Sequence, residues 1–351
     1  MIVKFQKIYV FCPNDFVTGG PDALHQIVYY LNGAGMNAKI VYFAFSRKHQ
    51  YSIPKTYKNY VSEFFVESDI VDNPDCAVII PESAIDKQAR FKKATVFIWW
   101  LSVDNNQNRS SLLWKSFFFA TLPARIIKNF WYYRKRWAEA VVKTLTKRSY
   151  SFKSEKENVE HLCASYYALD YVTQRTQKKT TLCIEPISKF FLNRYEELQG
   201  QIDLTKRSDK ILYNPRKSGY FVKKLAEFAP DLSFEPLVGL TQDQLIEKYM
   251  SAKLYVDFGP FPGAERIPKE AVLFGCCVIT GRNGASGFYG DVPISDEYKF
   301  ANPLYQIDEI STKIRQVLES YETRKSDFVV YRKTVLNLEN NFIETLKECM
   351  R

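Results

Sequence analysis

The chain has little histidine, few glycines and no long apolar run. Its three histidines, His25, His49 and His161, are far apart and form no HExxH or similar zinc pattern. No bound metal is expected, which leaves open only a metal carried in on a diphosphate. The seven cysteines are an odd number, scattered, without a CxxC pair, and two of them (Cys276, Cys277) lie inside an apolar segment. They read as reduced core thiols and not as a redox or metal site. No GxGxxG occurs among the 14 glycines, which disfavours a dinucleotide fold. No stretch of 18 apolar residues exists, so no transmembrane helix is expected. The first residues, MIVKFQKIYVFCP, lack the h-region and small-residue cleavage site of a signal peptide, and the expectation is a cytoplasmic chain. Internal repeats and low-complexity tracts are also missing.

Acidic residues are scarce in one window. Between Trp114 and Lys153 stand ten Lys or Arg and a single acid, Glu139, while the whole chain carries a formal charge of +10. The charge is therefore local. The same window holds eleven aromatics, and clusters such as SLLWKSFFFATL alternate with YYRKRW. Helices expected over 112–150 would set Trp131, Arg134, Lys135, Arg136 and Trp137 against an anionic membrane surface. Single-stranded nucleic acid and a plain solvated face are the alternatives. A nucleic-acid partner is not expected.

What is present is a 351-residue chain that is 46% hydrophobic and 25% charged, long enough for two domains. Strand and helix patterns alternate. Ile8–Cys12 precedes a loop, a helix from Ala23 to Gly33 and a strand Ala38–Phe43, a β-loop-α-β unit that implies parallel pairing. Further strands are expected at Asp75–Pro81 and Ala94–Leu101. Polar residues from Gln199 to Asp209 read as a linker, after which KILY at 210–213 opens a second series. That series continues with a helix at 219–228, a strand at 233–236, a helix at 242–251 and a strand at 254–258. The tail from 307 has helical spacing. The expected architecture is α/β, two Rossmann-like domains facing a central cleft: 1–200, 206–325, and a C-terminal helix in 326–351.

Ligands of such folds sit at the carboxyl ends of strands, and four places there carry suitable chemistry. Gly19 and Gly20 follow the first strand and let backbone approach a phosphate or sugar. Arg216 and Lys217 follow the first strand of the second series and suit a diphosphate. Gly263, Glu265, Arg266, Lys269 and Glu270 follow the strand ending near Phe258; the cations and helix N-terminus can hold phosphate, and Glu270 can accept hydrogen bonds from a ribose. Gly281 and Gly284 begin a second glycine loop, read equally as a ligand contact or a turn. His25 and Asp104 are candidate general bases. Trp99 and Trp100 read as core.

TGGPDALHQIVYYLNGAGMNAKIVYF, NPRKS and FPGAERIPKEAVLFGCCVITG together resemble the GT-B glycosyltransferases, particularly the large family-4-like group, over most of the chain. The resemblance implies that the first glycine loop approaches donor phosphate and acceptor. It implies that Arg216 and Lys217 hold the diphosphate and Glu270 the ribose. The first acid of that family's paired-acid motif falls at Pro262, with Glu265 as a partial stand-in. The implied activity is transfer of a sugar from a nucleotide-sugar donor to a glycan or polyprenol-linked acceptor, in surface polysaccharide or lipopolysaccharide synthesis. No tightly bound cofactor is implied, and the enzyme would sit on the inner face of the cytoplasmic membrane. The final helix would cross back to the first domain. The rivals are a nucleotide-sugar epimerase on the same scaffold and a non-catalytic, membrane-associated carbohydrate-binding protein.

Overall fold

The computed structural model describes residues 4–44, 50–104, 150–202 and 206–350. The basic aromatic residues Trp131, Arg134, Lys135, Arg136 and Trp137, expected to face a membrane, lie outside the described residues.

Two parallel sheets organise the chain. The first has seven strands: β1 (Lys7–Pro13), β2 (Ala38–Phe43), β3 (Phe65–Val66), β4 (Cys76–Pro81), β5 (Thr95–Trp100), β6 (Val159–Cys163) and β7 (Thr180–Leu182). Their spatial order is β3-β2-β1-β4-β5-β6-β7, every pair parallel. The order reverses between β1 and β4. The second has five: β8 (Ser208–Tyr213), β9 (Ser233–Pro236), β10 (Ala252–Asp257), β11 (Cys277–Gly281) and β12 (Lys299–Phe300). It runs β12-β11-β10-β8-β9, again all parallel, and reverses between β8 and β10. A parallel sheet needs cover on both faces, and its central strands are apolar throughout. β4 and β11 are buried along their whole length.

The helices that matter for the site follow these strands. α1 (Gly19–Gly33) follows β1, α2 (Tyr166–Thr173) follows β6 and α3 (Lys189–Ile202) follows β7. In the second half α4 (Pro215–Phe228) follows β8, α5 (Gln242–Ser251) follows β9, and α6 (Arg266–Leu273) follows β10. The tail contains α7 (Ile307–Glu319), α8 (Tyr321–Arg324) and α9 (Val329–Met350). α9 serves both cores. Val335 is buried with the second sheet's residues, while Phe342, Leu346 and Met350 are buried with those of the first. Phe342 stacks on Trp99 at 5.9 Å, and the Tyr30 hydroxyl donates to Glu339 at 2.8 Å.

The linker expected at Gln199–Asp209 is shorter than its polarity suggests. Gln199 to Ile202 complete the last turn of α3, and Ser208 and Asp209 open β8. Ile202 is buried against the second core, and Arg207 donates to the Phe274 and Ala252 carbonyls. One buried apolar residue and one part-buried guanidinium hold the described ends of this segment against the second lobe. All seven cysteines are free and buried.

Candidate functional site

The two order reversals point their carboxyl ends at one cavity of about 480 Å³. From the first sheet it receives Thr18 to Pro21 after β1, Glu82 and Ser83 after β4, and Leu101 and Ser102 after β5. From the second it receives Pro262 to Ile267 and Glu270, all after β10. Crevices at such switch points are where open α/β sheets bind ligands.

Local chemistry explains the shape of the β10–α6 loop. Asp257 ends β10 at 1% exposure, and both its carboxylate oxygens accept hydrogen bonds. Ser218 Oγ donates to it at 2.9 Å, Tyr255 Oη at 2.9 Å and the Gly259 amide at 3.0 Å. Ser218 Oγ in turn accepts the Phe258 amide. The chain then passes so near the first sheet that a Cβ on Gly263 would lie 1.9 Å from the Leu101 carbonyl oxygen. Val103 N donates to Pro262 O at 3.0 Å beside that contact. Gly284, at φ +59°, supports the loop from behind, where a Cβ would stand 2.1 Å from Phe261 O.

Two helix N-termini open on the cavity. α1 begins at Gly19, and its N-cap Thr18 supplies no side-chain hydrogen bond; α6 begins at Arg266 and its N-cap Glu265 supplies none either. Unsatisfied amides and aligned dipoles at both ends favour an anion between them. Arg266 lies in the same place, its guanidinium paired with Asp22 on α1 at 2.5 Å across the seam. Its Nε and Nη2 are buried with no hydrogen-bond partner among the described residues.

Glu270 lines the cavity at 7% exposure and accepts from Tyr249 Oη at 3.2 Å. Burial raises its pKa to about 7, against the opposing pull of Arg266. Glu265 is ion-paired with Lys217, whose Nζ also donates to Pro260 O at 3.3 Å. Burial raises the Glu265 pKa too. Lys269 is 3% exposed, its Nζ has no hydrogen-bond partner among the described residues, and burial lowers its pKa. Glu185 and Asp291 are the acids that most oppose that shift. Asp291 meanwhile accepts the Tyr166 and Tyr167 amides at the start of α2, at 2.7 and 3.0 Å.

Some expected site residues fall elsewhere. Arg216 is in the first turn of α4, exposed, and does not line the cavity. Pro215 at the first helical position and Asn214 as N-cap start the helix earlier than the expected Gly219, which turns Arg216 outward. His25 is not a cleft base. It is 1% exposed, Nδ1 lies 2.6 Å from Pro21 O, Nε2 lies 2.8 Å from Tyr42 Oη, and its ring stacks on Tyr57 at 4.2 Å. Burial lowers its pKa to about 4. Asp104 accepts from Tyr167 Oη at 3.2 Å and is absent from the cavity lining. Gly281 and Gly284 shape the backbone and do not line the cavity. Gly19 and Gly20 line it as the first residues of a helix. Trp99 and Trp100 are fully buried, their indole N–H groups donating to Cys183 O and His161 Nδ1.

Three acids were not singled out from the sequence. Asp22 holds Arg266. Glu82 is 2% exposed and accepts the Leu101 amide at 3.1 Å. Glu185, in the crossing between β7 and α3, is 6% exposed, and its Oε2 has no hydrogen-bond partner among the described residues. Glu82 does follow a strand ending in Pro81, a position that could have marked it. Glu185 carried no signal, because its segment reads as an ordinary loop. Among the described residues there is no His/Cys/Asp/Glu cluster able to hold a metal.

No family model matches the chain, and no curated protein matches it. Solved structures do. A glycosyltransferase from Rickettsia africae matches over 99% of both chains, with a TM-score of 0.55 at 13% identity. The sucrose-phosphate synthase from Thermosynechococcus elongatus matches over 98% of this chain and 97% of its own, with 0.54 at 11%. WaaG, a glycosyltransferase involved in lipopolysaccharide biosynthesis, matches over 98% and 99%, with 0.51 at 9%. Likeness at such identity speaks for architecture, and it agrees with the sheet orders above: the chain has the GT-B fold of two Rossmann-like lobes about a cleft.

Proposed function

We propose that the protein is a glycosyltransferase that moves a sugar from a nucleotide-sugar donor to a glycan or lipid-linked glycan acceptor. The observation that carries this reading is the meeting of two uncapped helix N-termini and Arg266 on one cavity. Dipoles and donors fixed in place before reaction stabilise charge as it develops on a departing diphosphate. Lys217 lies behind them, bound to Glu265. Glu270 accepts the ribose hydroxyls. The structural neighbours that are themselves glycosyltransferases support the assignment at the level of architecture.

The first lobe supplies the acceptor side. Glu185 takes the proton-accepting role for which the sequence offered Asp104 and His25, because it lines the cavity and its Oε2 has no hydrogen-bond partner among the described residues. Phe16, 44% exposed at the cavity rim, and the basic aromatic segment 112–150 suit an acceptor carried on a lipid at an anionic membrane. WaaG's role in lipopolysaccharide biosynthesis is consistent with a surface-glycan product.

Incubation with a panel of nucleotide sugars, with and without glycan acceptors, tests the reading. Free nucleotide released only when acceptor is present supports transfer. An altered sugar nucleotide without acceptor would instead identify an epimerase, and no turnover a binding protein.

A further inference from the structure

A second cavity, of about 630 Å³, lies on the other side of the Asp22–Arg266 pair. Arg266 lines the first cavity and Asp22 the second, so this ion pair is the partition between them. The walls of the second come from α1 and the 55–60 turn in one lobe, the start of α3 at the crossing, and Gln242 at the start of α5 in the other lobe. It adjoins a third cavity of about 510 Å³, with which it shares Tyr29, Tyr60 and Lys189. The two form a groove that runs from Gln242 towards α9.

The lining has a particular chemistry. Tyr29 is 39% exposed at the junction, with its ring edge-on to Tyr60 at 5.7 Å. Around it stand the amides of Asn59, Asn193 and Gln242 and the hydroxyls of Thr56 and Ser188. Amides and hydroxyls both donate and accept, and an exposed aromatic face covers apolar C–H surface. Ser188 is 8% exposed, and its Oγ has no hydrogen-bond partner among the described residues. All but one of the charged groups of the walls are paired: Lys189 with Glu339 at 2.5 Å, Lys347 with Glu344 at 2.8 Å, and Asp22 with Arg266. Lys55 is exposed.

We infer that this groove is a binding site for a neutral oligosaccharide, separate from the cavity that takes the nucleotide. Apart from the exposed Lys55, the charges are paired, so among the described residues the groove has no cluster of free cations to select an anion. Alternating amides and hydroxyls suit a polyol, and Tyr29 is the platform for one sugar ring. The length of the groove selects a chain over a single sugar. The inference does not depend on the donor assignment, since it concerns different residues and a different ligand.

The test is calorimetric titration of the intact protein with maltopentaose, cellopentaose and chitopentaose, with glucose as the single-ring control. At least one pentasaccharide binds, at least about tenfold more tightly than glucose. Tyr29→Ala weakens it by about tenfold, the scale of one aromatic contact. The double variant Asn193→Ala/Gln242→Ala, on the far wall, weakens it independently. Glu185→Gln, in the other cavity, leaves the affinity unchanged. Failure of all three pentasaccharides to bind overturns the proposal. So does binding that is indifferent to the groove variants, or that falls with Glu185→Gln as much as with Tyr29→Ala. Nucleotide binding plays no part in these readouts, so the two readings fail separately.

Discussion

Glu270 joins burial to a proposed ribose-binding role in one carboxylate. Its pKa is raised from 4.5 to about 7, chiefly by burial. A carboxyl with a raised folded pKa binds protons more tightly folded than unfolded, so stability falls as pH rises between those two values. Removing the ionisable group should flatten that fall. Glu270→Gln is expected to lose less stability than the parent between pH 5 and pH 8, by up to ~3 kcal/mol, measured by urea unfolding at both values. Asp291, raised to about 6, slopes the same way, whereas His25, lowered to about 4, opposes both below pH 6.5. Glu185 carries a chemical expectation. If it takes the acceptor's proton, Glu185→Gln lowers turnover by roughly 10²–10⁴-fold while nucleotide affinity holds. Burial raises its pKa, so the parent's activity should climb with pH as Glu185 ionises.

At the scale of elements the seam rests on a glycine. Gly263→Ala would force a Cβ to 1.9 Å from the Leu101 carbonyl, where backbone has to move. The expected cost is ~1–3 kcal/mol, seen in denaturant unfolding, with loss of nucleotide binding beyond what stability explains. The sequence marked this loop clearly, because Gly and Pro break an apolar strand there and a strand's carboxyl end is where ligands gather. Strand positions were legible for the same reason: runs such as CAVIIP and TVFIWW admit little besides buried parallel strands. Helix starts were less legible. α1 begins at Gly19 and α4 at Pro215, each four residues before the apolar periodicity shows. That offset moved Gly19 and Gly20 from a loop into a helix and turned Arg216 to solvent. His25 misled because a polar residue near a glycine loop looks functional until Tyr42 and the Pro21 carbonyl are seen to occupy both its nitrogens. The Asp22–Arg266 and Glu185 placements join residues far apart in sequence, and no local pattern encodes them.

At the scale of the whole molecule, the lobes are joined by a few specific contacts and by one long helix. Asp22–Arg266, Asp291 with the amides of α2, and Val103 with Pro262 cross the seam, while α9 buries Val335 with one core and Phe342 with the other. The membrane reading concerns 112–150 alone. No helix among the described residues is long and apolar enough to span a bilayer. Neutralising Arg134, Lys135 and Arg136 together should weaken sedimentation with anionic vesicles, at ~1 kcal/mol for each charge near the surface. Unchanged sedimentation would leave the basic window as a solvated face.

The central claim is that the cavity between the lobes neutralises a nucleotide diphosphate. Calorimetric titration with UDP, GDP, ADP, CDP and dTDP, on the parent and on Arg266→Gln, tests it most directly. The account requires one of these to bind the parent and to bind Arg266→Gln at least about tenfold more weakly, in line with a lost charge-assisted hydrogen bond of ~1.5–3 kcal/mol. Binding by none of them, or equal binding to both proteins, would contradict it.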